Sequence, residues 1–250
     1  MAGHSKWASI KHKKAIVDSR RGAAFTKLAR AITVAAREGG GDVEGNPSLA
    51  TAVQKARDAS MPKDNIERAI SKGTGDGADA DAIEAVLYEG YGPGGVAVLV
   101  EALTDNRNRT GSDVRLAFTK LGGSLGEPGS VSYLFEKLGV VRVDGTRWSE
   151  DDLLAAIDAG ASDIVPDGDL LEVICSPAAF SEVRSAVEAG GVEITSSEVL
   201  YRPTTLVQLD EDGARKLLRL VETLEDNDDV GAVHANFDID DDVLERLTAD

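Results

Sequence analysis

Residues 138–202 read LGVVRVDGTRWSEDDLLAAIDAGASDIVPDGDLLEVICSPAAFSEVRSAVEAGGVEITSSEVLYR, and this stretch decides the fold. Val140-Val141-Arg142-Val143 is rich in β-branched residues and predicts a strand. Ser149 then caps a helix that runs through Ile157, with Asp152 three residues on in a capping-box arrangement. Ala161–Val165 and Leu170–Cys175 are two further strands. Pro177 opens a second helix, which runs to Gly190-Gly191, and Val192–Tyr201 closes the unit with a strand. The order βαββαβ is that of a ferredoxin-like split unit.

Working outward, the same alternation recurs on both sides. Ile83–Tyr88 and Val96–Leu103 are apolar runs joined by Gly90-Tyr91-Gly92-Pro93-Gly94-Gly95, which is hairpin-turn chemistry. Thr104–Thr110 leads into a helix with Val114, Ala117, Phe118 and Leu121 inward, and Val131–Phe135 reads as a strand. Beyond residue 202, Thr204–Leu209 is a strand, Asp210–Leu224 a helix and Val230–Asp238 a strand. Residues 95–135 combined with these make a second βαββαβ unit, into which the first is inserted.

Residues 1–77 are helical instead. Phe25, Leu28, Ile32 and Ala35 fall on one helix face, and Gly39-Gly40-Gly41 ends that helix. Asn46-Pro47 starts the next, lined by Leu49, Val53 and Ala56. Pro62 starts a third, with Ile66, Ala69 and Ile70 inward and Lys72–Gly77 as the linker. The expected architecture is therefore α+β. A helical domain at 1–77 precedes two ferredoxin-like βαββαβ domains, one discontinuous (78–136 plus 203–250) and one inserted (137–202). The Ala-rich helical core is thin, so this part is expected to be marginal alone.

Charge divides the chain more sharply than composition does. The net charge is −17, which argues against a polyanionic partner. Its distribution argues the reverse. Residues 1–75 carry fourteen Lys/Arg against seven Asp/Glu, whereas residues 76–250 carry thirteen against thirty-seven. Within residues 1–37 nine basic residues face one acid, Asp18. A basic module that meets a polyanion, attached to an acidic body that stays in solution, accounts for the split. The plainer account is a solvated basic face.

The candidate contacts are Lys6, Lys11, Lys13, Lys14, Arg20, Arg21, Lys27, Arg30 and Arg37, since phosphate neutralisation needs many cations on one surface. Trp7 among them either stacks on a base or packs under the helices. His4 and His12 have no acid or Cys nearby, so a metal site is not expected; either suits donation of a hydrogen bond to phosphate. Arg107 and Arg109, between a strand and a helix N-terminus, form a second anion site, or else pair with local acids while Thr104, Asp105 or Asn106 caps the helix.

Other motifs carry less. Gly90–Gly95 lacks the Lys-Ser/Thr of a phosphate loop. Asp226–Asp229 and Asp238–Asp242 do not complete a calcium loop and read as solvated acidic turns. Cys175 is the only cysteine and sits in an apolar run, so it reads as core, in a reducing, cytoplasmic setting. His234 has no Ser or Cys partner. No triad, carboxylate dyad or metal cluster is evident, no apolar run spans a membrane, and no leader is read at Met1; hence no enzyme and no cofactor are expected.

Several long stretches resemble the YebC family, which includes PmpR-type transcriptional regulators and the mitochondrial translational activator of cytochrome c oxidase subunit I. They are AGHSKWASIKHKKAIVDSRRG (2–22), FTKLARAITVAAREGGGD (25–42), NPSLATAVQKARDASMPKDNIERAISKGTG (46–75), YEGYGPGGVAVLVEALTDNRNRT (88–110) and GSVSYLFEKLGVV (129–141). The resemblance covers essentially the whole chain and implies three domains, one inserted in another. It implies DNA binding and gene regulation, or ribosome-linked translation support through ribosomal or transfer RNA. By the match Lys6, Lys11, Lys13, Lys14, Arg20, Arg21, Arg107 and Arg109 are the contacts. The start directly on the motif is similar to the bacterial form. A homodimer or ribosome association stays open. A small-molecule enzyme or sensor using a ferredoxin-like cleft is the remaining alternative.

Overall fold

The first helix among the described residues, α1 (Asp18–Gly39), forms where the apolar residues recur at helical spacing. This computed structural model describes residues 18–75, 83–240, 242–243 and 246–247, with side chains from residue 22 onward. Gly40 follows α1 at φ +86°, the left-handed conformation that a helix end needs and that glycine adopts without strain. The chain then turns into α2 (Pro47–Asp58) through Asn46. The buried Asn46 side chain accepts from Leu49 N–H (3.1 Å) and donates to the carbonyls of Ala35 and Gly40 (2.8 Å each). One amide thus caps α2 and closes the end of α1.

α3 (Lys63–Thr74) follows Pro62 and runs further than the sequence indicates, through Gly73 rather than stopping ahead of it. A Cβ at Gly73 would lie 2.4 Å from the Thr33 carbonyl, so glycine here permits α1 and α3 to touch rather than ending the helix. Ile32, Leu49, Val53 and Ile66 form the core that these three described helices share.

The inserted unit follows its sequence closely. β4 (Phe135–Asp144), β5 (Ala161–Asp167), β6 (Leu170–Cys175) and β7 (Ile194–Pro203) form an antiparallel sheet in the order β5-β6-β4-β7. The helices α5 (Leu154–Asp158) and α6 (Phe180–Ala189) lie in the connections of a split βαββαβ unit. Val141, Val143, Val173, Leu153, Phe180 and Val183 pack between sheet and helices. Cys175 is fully buried among them, and burial raises its thiol pKa to about 11, as befits a core residue. Ser149 donates both its backbone N–H (2.9 Å) and its hydroxyl (2.7 Å) to the Asp152 carboxylate.

The outer unit comprises β1 (Glu84–Tyr91), β2 (Ala97–Thr104), α4 (Arg107–Lys120), β3 (Ser124–Leu125), β8 (Val207–Leu209), α7 (Glu211–Glu225), β9 (Val230–Ala235) and β10 (Phe237–Ile239). Its main sheet is antiparallel in the order β3-β1-β2-β9, with Phe118, Leu217, Leu220 and Val233 in the core. This keeps the layered α+β arrangement with one exchange. The slot between β2 and β3, which a strict βαββαβ order would assign to β8, is filled by β1. The Gly92–Val96 turn holds β1 against β2, with Gly92 N–H donating to the Val96 carbonyl (2.7 Å), so the nearest strand in sequence takes the place. β8 pairs in parallel with β10 instead.

Residues 131–134 are not a strand. The Glu89 carboxylate, 5% exposed, accepts from Gly129 N–H (2.7 Å), Val131 N–H (2.8 Å) and Ser132 N–H (2.8 Å). Those amides are therefore unavailable to a neighbouring strand, and a tight turn over Ser132–Leu134 precedes β4. Burial alone would raise the Glu89 pKa, but the backbone donors outweigh it and hold it below the ordinary glutamate value. Glu89→Gln, which turns an amide NH₂ toward these donors, should lower stability by about 2 kcal/mol in chemical denaturation. The contribution of Glu89 is complete above the ordinary glutamate pKa and is lost as pH falls through the lowered one. An unchanged denaturation midpoint in the variant would remove this role.

Candidate nucleic-acid interface

α1 presents two kinds of surface. One packs on α2 and α3. The other turns toward the outer unit and carries Lys27, Arg30 and Arg37 at helical spacing. Each of these cations ends on a group of this same chain. Lys27 Nζ donates to the carbonyl of Glu225, at the last residue of α7, and Arg37 donates to the Ile83 carbonyl. Arg30 donates to the carbonyls of Leu103 (3.4 Å) and Asp228 (3.0 Å) and pairs with the Asp229 carboxylate. Burial lowers the Lys27 ammonium pKa against the raising pull of Asp228 and Asp226. These three basic residues thus dock the helical unit onto the body.

Asp229 is the centre of that docking. Its side chain is 4% exposed, yet it accepts from Arg109 Nη2 (2.8 Å), Thr110 Oγ1 (2.6 Å) and Thr104 Oγ1 (3.3 Å) as well as from Arg30. Burial would raise its pKa, but the bonds from Arg109, Thr110 and Arg30 prevail and hold it at about 2. Residue 229 is therefore not part of a solvated acidic turn; it is a buried anion surrounded by donors from α1, β2 and α4.

The Thr104–Thr110 loop is organised around the same carboxylate. Asn106 is the cap of α4, its side-chain oxygen accepting from Arg109 N–H (3.0 Å), and Thr104 Oγ1 accepts from Asn106 N–H (2.9 Å). Arg109 also pairs with Asp105 (2.7 Å). The anion held here belongs to the protein, which is the local pairing that the loop's acids allow. Arg107 differs. It is exposed, and among the described residues its side chain has no ion pair; its carbonyl accepts from Tyr88 (3.3 Å). Arg109→Ala should lower the melting temperature with little change in affinity, whereas Arg107→Ala should weaken nucleic-acid binding with little change in melting. The reverse pattern would exchange the two roles.

Lys6, Trp7, Lys11, His12, Lys13 and Lys14 lie outside the described residues. Arg20 and Arg21 fall in the first turn of α1, and their side chains are likewise outside what is described. The segment that carries most of the basic excess thus leads directly into α1.

A further pair of cations stands apart from the basic N-terminal run. Arg68 and Lys72, four residues apart on α3, are exposed and line a cleft of about 650 Å³ between α1, α3 and the start of the outer unit. Phe25, Arg30, Asn65 and Asp105 also line it. The i, i+4 spacing places both cations on one side of the helix, a signal present in the sequence but overshadowed by the denser basic run before it.

His234 has a partner after all: its Nε2 lies 2.8 Å from Glu101 Oε1, and its ring meets Tyr201 edge-on at 5.4 Å. This contact joins β9 to β7 and so sets the inserted unit against the outer one. Among the described residues no group of three or more His, Cys, Asp or Glu could hold a metal ion, and no helix is long and apolar enough to cross a membrane.

Known proteins match this chain over nearly its whole length. Residues 5–76 match the TACO1/YebC protein N-terminal domain, and residues 83–237 match the TACO1/YebC second and third domain. A curated relative from Rubrobacter xylanophilus is 56% identical over 248 residues, 99% of each chain. Another, from Mycobacterium tuberculosis, is 52% identical over 248 residues, again 99% of each. Both are named probable transcriptional regulatory protein. The crystal structure of a conserved hypothetical protein, Aq1575 from Aquifex aeolicus, matches with a TM-score of 0.83 and 49% identity, covering 94% of this chain and 98% of that one. On both family matches and on these identities, the chain belongs to the TACO1/YebC family.

Proposed function

We propose that this protein is a non-catalytic regulator that binds nucleic acid, as a DNA-binding transcriptional regulator. The observation that carries the reading is the separation of charge. Residues 1–75 hold a twofold excess of basic over acidic residues on a chain whose net charge is −17. Phosphate binding rests on such a local excess, because each contact releases counterions. The names of the relatives support the regulatory part. Lys6, Lys11, Lys13, Lys14, Arg20, Arg21 and Arg107 are the proposed phosphate contacts, with Trp7 and His12 beside them. Lys27, Arg30 and Arg109 act indirectly, by holding α1 against the body.

A second reading is favoured by the acidity of residues 76–250, which carry thirteen basic against thirty-seven acidic residues. A long duplex laid across that body would meet repulsion, whereas a basic segment reaching into structured RNA would not. On this reading the protein is a ribosome-associated translation factor. Ultraviolet crosslinking in growing cells, followed by sequencing of the attached nucleic acid, separates the two. Recovery of discrete promoter DNA is expected for a transcriptional regulator. Recovery of ribosomal or transfer RNA with little DNA would overturn that reading in favour of translation, and recovery of neither would overturn both.

A further inference from the structure

The cleft between α1 and α3 has a chemistry of its own. Its charged lining is Arg30, Arg68, Lys72 and Asp105. Arg30 is balanced by Asp229 and Asp105 by Arg109. That leaves Arg68 and Lys72, which among the described residues form no ion pair, so the local balance facing the cleft is positive. Phe25, partly buried against the core of the helices, adds part of its ring to the cleft wall, and the Asn65 side chain, half-buried there, has no hydrogen bond to any described residue.

We infer that this cleft binds a short unstacked stretch of single-stranded nucleic acid, a conclusion that rests on the nucleic-acid reading above and specifies the form the ligand takes. Two cations four residues apart track the phosphates of a strand, while an aromatic ring beside them stacks a base without regard to its identity. An amide with both donor and acceptor free reads a base edge. Size selects the same ligand. At about 650 Å³ the cleft is comparable to small-molecule pockets and cannot admit a duplex, which is far wider.

The test measures fluorescence anisotropy of labelled poly(U), poly(dT) and a duplex of equal length against the full chain, across a range of salt. The variants are R68Q/K72Q and F25L; the second keeps an apolar side chain in the partly buried position of Phe25 but removes the ring. R68Q/K72Q should weaken single-strand binding at least about tenfold and make the log–log salt slope shallower by about 1.4, the value for two lost phosphate contacts on a single strand. F25L should weaken it by about tenfold with the melting temperature retained. Duplex binding should be unaffected by either. Preference for poly(U) or poly(dT) identifies RNA or DNA as the source of the strand.

Unchanged single-strand affinity and slope in R68Q/K72Q would overturn the cleft assignment while leaving nucleic-acid binding intact. Equal losses for duplex and single strands would overturn the single-strand selectivity. Wild-type protein that binds none of the three would overturn the broader reading and this one with it.

Discussion

Asp229→Asn should destabilise the protein by about 3 kcal/mol, the cost typical of removing one partner from a buried charge pair. The carboxylate is 4% exposed and takes bonds from Arg30, Arg109, Thr104 and Thr110, so the variant leaves Arg30 without its counter-ion and Arg109 with Asp105 alone. The effect depends on pH in a defined direction. The folded pKa, about 2, lies below the ordinary value of 3.8. The stabilisation is therefore complete above about pH 4 and disappears as pH falls from about 4 to about 2. The depressed pKa corresponds to about 2 kcal/mol of it. The difference between wild type and variant in denaturation free energy, measured from pH 7 down to acid, should narrow across that window. A constant difference, or none at neutral pH, would show that Asp229 does not hold the units together. Because Arg30 belongs to α1, amide exchange in α1 should also accelerate more than exchange in β4–β7.

Reversing charge at Lys11, Lys13 and Lys14 together should abolish nucleic-acid binding and flatten its salt dependence. Three cations become three anions in the densest basic run of the chain, so phosphate contacts are replaced by repulsion. Loss of three contacts to duplex DNA alone would reduce the log–log salt slope by about 2.7. Titrations of wild-type and variant protein at several salt concentrations read affinity and slope together. Thermal melting should be unchanged, since docking of α1 relies on Lys27, Arg30 and Arg37. Retained affinity with an unaltered slope would move the interface away from the N-terminal segment and undo the argument from charge.

These two expectations come from different levels of organisation. The Lys11–Lys14 run is visible in the sequence because an excess of like charge within a few residues is read from the chain order alone. The helices α1, α2 and α3 are legible for a similarly local reason. Asn46-Pro47 and the glycines after α1 act within a few residues of where they stand, through backbone groups that any helix end must satisfy. The inserted βαββαβ unit was legible because its strands and helices alternate without interruption and connect through short loops. Position β1 was not. Its place between β2 and β3 follows from competition between two strands for one slot, and that competition is settled by the hairpin turn rather than by the pattern of apolar residues.

The roles of the basic residues show the limit most clearly. Lys27, Arg30, Arg68 and Lys72 are indistinguishable as charges in a list, yet the first two meet carbonyls and a carboxylate some 200 positions on, while the last two line an open cleft. The sequence by itself determined the Asn46 and Ser149 caps, the alternation of strands and helices in the inserted unit, and the basic start on an acidic chain, since each depends on groups close along the backbone or on net charge alone. Only the tertiary structure decided which cations are neutralised within the molecule, that Asp229 is buried and Glu89 holds a loop, and that β1 completes the outer sheet. Each of these depends on which distant group ends up within hydrogen-bonding reach, and a hydrogen bond or ion pair is felt only at contact.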